Sequence, residues 1–129
     1  MREVKVRDLT YDNSTALCGH LIGLIQDKKG KSIVSLDLRQ IPEAISDYFI
    51  ICHGDSTTQV KAIVDNVHRK IKEEWGELPH HIEGMSSAEW AIIDYIDVVV
   101  HVFLRDRRDY YHLEDLWSDA GITRYEDMY

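Results

Sequence analysis

Three acids and one short glycine–serine motif are the residues best suited to chemistry: Asp37, Asp94 and Asp97, and Gly54-Asp55-Ser56. Paired carboxylates hold magnesium for phosphoryl transfer. A turn between a strand and a helix start presents backbone amides to phosphate. Together these suggest a metal-dependent nucleotidyltransferase. Enzymes of that kind, however, place their two metal-binding acids one residue apart on one strand, soon after the Gly-Ser helix. Here Asp94 and Asp97 flank a turn and come much later in the chain, and Ser56 has a simpler job as a helix cap. Catalysis is therefore the alternative reading, and no catalytic residue is assigned.

The remaining reactive side chains form no constellation. His80 and His81 are adjacent, so on a strand they point to opposite faces. His20, His53, His68, His101 and His112 fall on separate elements, with no His-x-x-x-His pair. No metal and no cofactor are expected. Cys18 and Cys52 each sit in an apolar segment, without a Cys-x-x-Cys motif, and read as buried, reduced thiols. No spacing brings a histidine beside Ser56 for nucleophilic attack.

The elements that must position these residues follow from periodicity. Asn13 or Ser14 is a candidate cap for a first helix, with Leu17, Leu21, Leu24 and Ile25 on one stripe and Gly30 after its end. Ser32 to Leu38 predicts a strand. Tyr48 to Cys52 is a continuous apolar run, as expected of a strand covered on both faces. Ser56 and Gln59 match a capping box. The helix behind it carries Val60, Ile63, Val64, Val67, Ile71 and Trp75 on one face, and Gly76 and Pro79 end it. His80 to Glu83, Trp90 to Asp94 and Asp97 to Leu104 predict three further strands. Arg107 to Trp117 predicts a last helix with Tyr110, Leu113, Leu116 and Trp117 inward. Residues 1–12 and 118–129, including the tail Tyr125, Met128 and Tyr129, read as loose ends of a single domain spanning 1–129. The order α-β-β-α-β-β-β-α is an α+β layer, with helices packed on a mixed sheet of about five strands.

The last two strands form a hairpin around Tyr95-Ile96. With a two-residue loop, Asp94 faces Asp97, Ile92 faces Val99 and Trp90 faces His101. One face then holds Ala91, Ile93, Val98, Val100, Val102 and Leu104, all aliphatic, and suits packing under helices. The other holds Trp90, Ile92, Asp94, Asp97, Val99, His101 and Phe103. Opposed carboxylates do not suit a core, because like charges there destabilise. Trp, Ile, Val and Phe together do not suit a purely solvated face. An aromatic and acidic mixture suits a protein-binding patch, with Trp90 as its anchor. A simpler alternative packs Trp90 and Phe103 under the loops around Pro42 and Met85. Tyr-Ile is a poor two-residue turn, since tight hairpins favour residues that tolerate positive φ, so a longer turn would shift the register.

The same region resembles the RsfS (Iojap) family of ribosomal silencing factors. The resemblance lies in Glu89-Trp90, in the run from Asp94 to Phe103, in Ser46 to Ile51 with Gly54 and Ser56, in Gln59 to Ile63, and in Tyr110 to Trp117. These matches cover most of the chain from Ala16 to Trp117. The family more often has Gly where this chain has Ile96. The resemblance implies a nucleotidyltransferase-like topology without transferase activity. It implies binding to ribosomal protein fourteen at the joining face of the large ribosomal subunit. Docking there blocks the small subunit and represses translation. It also implies a link to large-subunit biogenesis, and the family includes dimers. Trp90, Asp94, Tyr95 and Asp97 carry over as partner-binding residues, and Ile92 joins them from the face assignment.

The formal charge of −8 fits that expectation. An acidic protein gains nothing from counterion release on RNA or DNA, so little direct nucleic-acid contact is expected and a basic protein surface is the better partner. No apolar run approaches the ~20 residues that span a bilayer. The first residues, Met1 to Asp8, alternate charge with apolar side chains and lack the apolar stretch of a signal peptide. A cytoplasmic protein without membrane contact is expected.

Overall fold

Helix α1 (Arg2–Asp27) opens a computed structural model that describes residues 2–127, with side chains from residue 13 onward. The helix extends well before Asn13 and Ser14, so neither caps it. Ser14 is buried, and its hydroxyl donates to Asp47 Oδ2 at 2.8 Å; a residue with capping chemistry is used instead for a tertiary contact. The apolar stripe is as expected: Leu17, Leu21, Leu24 and Ile25 are all buried. Lys29, at φ 61°, turns the chain out of the helix, and Gly30 N–H bonds Ile25 O at 3.0 Å. A Cβ at Gly30 would lie 2.3 Å from Ile25 Cγ2, so close packing rather than dihedral freedom demands glycine here.

Strands β1 (Lys31–Asp37) and β2 (Tyr48–Gly54) follow, and then helix α2 (Thr57–Trp75). Ser56 caps α2 by accepting from Gln59 N–H, and Gln59 Oε1 in return accepts from Asp55 N–H. Gly76, at φ 66°, closes the other end. Val60, Ile63, Val64, Val67 and Ile71 are buried along one face. Asn66 is buried among them because its amide donates to Leu24 O at 3.0 Å, tying α2 to α1. Among the described residues, no helix is long and apolar enough to cross a membrane.

Strands β3 (His81–Glu83), β4 (Trp90–Asp94) and β5 (Val98–Leu104) complete the expected sheet. Helices α3 (Arg105–Tyr111) and α4 (Leu113–Leu116) come next, and β6 (Gly121–Arg124) adds a sixth strand to the predicted five. The sheet order is β3-β4-β5-β2-β1-β6. The central pair, β2 and β5, is parallel, and the other neighbours are antiparallel. Helices α1 and α2 cover one face, burying Ile33, Ile50, Cys52, Ala91, Ile93, Val98, Val100 and Val102. Each fully buried aliphatic side chain there contributes about 1.5–3 kcal/mol. Cys18 and Cys52 are free thiols in this layer, and burial pushes both up to about 12.

The structure corrects two expectations at the C-terminal end. The stretch after residue 117 is not loose up to Asp127: β6 pairs with β1, and Tyr125 N–H bonds Ile33 O at 2.9 Å. Met128 and Tyr129 lie outside the described residues. The last helix is broken at His112, which takes φ 49°. The break changes which side chains face inward. Leu113 is buried and Trp117 half-buried, as expected, whereas Tyr110 and Leu116 are 72% and 74% exposed.

Candidate functional site

The second face of the sheet is the chemically unusual one. It carries Trp90, Ile92 and Asp94 from β4; Val99, His101 and Phe103 from β5; Phe49 and Ile51 from β2; and Val34 and Leu36 from β1. Part of it forms a second core of Val34, Leu36, Leu38, Ile51, Phe103 and Leu113 beneath α3 and α4. Trp90, Phe49 and Trp117 border that core and are only half-buried.

Trp90 is held from three sides. Its ring stacks on Phe103 at 4.9 Å and 27°, and meets Tyr111 at 4.7 Å. Its indole N–H donates to His101 Nδ1 at 3.1 Å. Indole nitrogen can only donate, so Nδ1 must be bare and the imidazole proton sits on Nε2. Among the described residues that N–H has no hydrogen-bond partner; the nearby ring is Phe49, at 4.7 Å and 62°. His101 is 6% exposed, and burial holds its pKa down at about 4, against a smaller opposing pull from Asp94. Gly84 lets the preceding loop approach this strand closely. It takes φ 85°, and a Cβ there would meet Trp90 O at 2.0 Å. Trp90 is thus a pre-positioned aromatic side chain, held over the sheet without being sealed beneath it.

The hairpin turn is longer than two residues. The register pairs Trp90 with Phe103, Ile92 with His101 and Asp94 with Val99. This departs from the expected pairing by two residues, which leaves the paired side chains of β4 and β5 on their expected faces but moves Asp97 into the turn. The pairing of Asp94 with Asp97 is therefore incorrect. Tyr95 N–H bonds Val98 O at 2.9 Å, and Asp97 N–H bonds Tyr95 O at 2.9 Å across Ile96, whose φ is 73°. A β-branched residue in such a turn stores about 1–3 kcal/mol of strain. Asp94 Oδ1 accepts from Ile96 N–H at 2.7 Å and braces the turn, while Oδ2 lies 3.6 Å from His81 Nε2. The acid beside Asp97 is Asp47. Burial first, and Asp47 second, raise the Asp97 carboxyl above its usual value.

Of the five expected contact residues, Trp90, Ile92 and Asp94 share the second face, and Asp97 lies in the turn at its end. Tyr95 does not join them. It is 6% exposed within the helix-covered core, its hydroxyl has no partner among the described residues, and burial pushes its pKa up to about 12. Its part is to anchor the turn. Sequence reasoning placed His101 on this face but did not see that it holds Trp90. It also missed Tyr111, which meets Trp90 where Tyr110 was expected to point inward, and Asp47. Phe49, within a predicted strand, also borders the site beside His101.

The phosphoryl-transfer arrangement does not assemble. Gly54 lies beside Leu104, at the opposite end of the parallel pair from Asp97. Six strand steps separate the two ends, about 20 Å. Asp37 is engaged by Arg39 at 2.7 Å, and this hydrogen bonding lowers its pKa. Asp55 lies 3.8 Å from Arg105. Among the described residues, no three His, Cys, Asp or Glu side chains come together to hold a metal ion.

Comparison with known proteins identifies the chain. The family model described as "Ribosomal silencing factor during starvation" matches residues 11–128. The ribosomal silencing factor RsfS of Halalkalibacterium halodurans is 43% identical over 107 residues, covering 83% of this chain and 90% of that protein. A crystal structure of a Chromobacterium violaceum protein superposes with a TM-score of 0.76 at 39% identity, covering 81% of this chain and 85% of that one. More distantly, the mouse protein named for mitochondrial assembly of the ribosomal large subunit is 29% identical over 106 residues, 76% of this chain and 43% of that protein. The chain belongs to the family of ribosomal silencing factors.

Proposed function

We propose that the chain docks on the large ribosomal subunit through the second face of its sheet, on a basic ribosomal protein at the subunit-joining side. In the family it resembles, that protein is ribosomal protein fourteen. Docking there blocks the small subunit and represses translation. A role in large-subunit biogenesis is compatible with the same contact and with the name of the mouse relative.

The observation that carries this reading is the held Trp90. Its ring is fixed by Phe103, Tyr111 and His101 but stays half-buried. A large aromatic that is rigid before binding loses little entropy on docking, which is what an interface anchor needs. Ile92 adds apolar area beside it, and Asp94 and Asp97 supply the charge that a basic partner would neutralise. The charge of −8 disfavours ribosomal RNA as the main contact. The proposal includes no catalytic step.

Light scattering of subunit joining tests it. Large subunits pre-mixed with the chain should join small subunits less completely than untreated ones, and excess chain should deepen the effect. Undiminished joining at saturating chain would refute the proposal.

A further inference from the structure

We infer that Ile96 and Ile45 form an apolar docking tip that seats in an apolar socket rimmed by lysine or arginine on the protein partner. This inference rests on the proposed ribosome docking and specifies the partner's chemistry at the hairpin end of that surface.

Ile96 is in a conformation that a β-branched residue rarely adopts, at φ 73°, and its side chain is 58% exposed. Burial within this chain therefore does little to offset its backbone strain. Strain of this kind persists where the surroundings over-determine it, and it clusters at clamps and recognition sites. The surroundings here are specific. Ile96 N–H donates to Asp94 Oδ1 at 2.7 Å, and Ile96 C=O accepts from Ser46 Oγ at 2.7 Å. The next carbonyl, of Asp97, accepts from the N–H groups of Asp47 and Tyr48 at 2.8 and 3.1 Å. The exposed isoleucine is thus fixed in place, ready to dock without further ordering.

Ser46 also ties a second segment to this turn, and the residue before it, Ile45, is 95% exposed. Two exposed isoleucines on two cross-linked segments make an apolar tip. Carboxylates flank both: Glu43 and Asp47 beside Ile45, Asp94 and Asp97 beside Ile96. The complementary surface is an apolar socket with a basic rim, the usual order of a protein interface. Nucleic acid offers neither the socket nor the positive charge. A second copy of this chain would bring the same acids face to face.

The test measures pelleting with isolated large subunits and thermal melting for wild type, Ile96→Gly, Ile96→Asn and Ile45→Asn. Gly and Asn tolerate the left-handed backbone, so both Ile96 variants should melt at the same temperature or up to about 5 °C higher. All three variants should bind about tenfold more weakly. Ile45 is almost fully exposed, so its variant decides the matter whatever the Ile96 variants do to stability. Variants that bind like wild type would overturn the tip while leaving ribosome docking intact. A wild type that does not pellet would overturn docking itself. A wild-type dimer that becomes monomeric in Ile96→Gly would overturn the ribosomal socket in favour of a second copy.

Discussion

The two faces of the sheet differ in what they are built to do. The face under α1 and α2 is aliphatic and sealed: Ala91, Ile93, Val98, Val100 and Val102 are all fully buried. The opposite face of the same strands carries Trp90, Ile92, Asp94, Val99, His101 and Phe103, and two short helices cover only part of it. It includes a buried imidazole and a half-buried indole. Among the described residues each face keeps one buried polar atom without a partner, the Tyr95 hydroxyl under the helices and His101 Nε2 opposite, so it is the half-buried aromatic and acidic side chains that set the second face apart. One alternating sequence thus makes two surfaces, one that holds the fold and one that is left for recognition.

The sharpest way to break this contrast is to damage the sealed face. Ile93→Ala should destabilise the protein by about 2–5 kcal/mol, measured by denaturant unfolding, because it leaves a cavity under the helices. Its folded fraction should still bind large subunits normally.

The next effect is a pH dependence from the other face. The pKa of His101 falls from 6.5 to about 4 on folding. Below pH 6.5 the unfolded chain takes up a proton that the folded chain refuses. Stability is therefore lost as pH falls from about 6.5 towards about 4, by at most on the order of 3 kcal/mol from this group. His101→Gln should flatten that part of the stability–pH curve. An unchanged curve would place the acid sensitivity elsewhere.

The smallest effect concerns the turn acids. Asp94→Asn with Asp97→Asn keeps the oxygen that braces Ile96 N–H but removes two charges. Large-subunit affinity should fall by about 0.2–1 kcal/mol per lost ion pair, and its salt dependence should weaken. The same affinity at every salt concentration would remove these acids from the contact.

Much of this contrast is legible in the sequence, because alternation fixes faces. The paired residues of β4 and β5 sort correctly even though the register is off by two, since a shift of two preserves the face, whereas Tyr95 and Asp97 in the turn do not. The register itself was not legible. It depends on a turn held by Asp94 and by Ser46 from a distant loop. Ser14 has the chemistry of a cap, and only the folded chain brings Asp47 beside it. The edge strand β6 is exposed along its whole length, so no buried alternation marks it. The break at His112 left Tyr111, not Tyr110, against Trp90. At the site, residue type pointed to Trp90. The Trp90–His101 hydrogen bond needed the fold, because it joins diagonal neighbours on two strands.

The second face, and not the sealed one, is the face proposed to meet the ribosome. Co-sedimentation with isolated large subunits tests it most directly, comparing wild type, Trp90→Ala and Ile93→Val at a temperature where melting curves show all three folded. Wild type and Ile93→Val should pellet with the subunit, and Trp90→Ala should stay in the supernatant. Equal pelleting of wild type and Trp90→Ala would contradict docking through the second face.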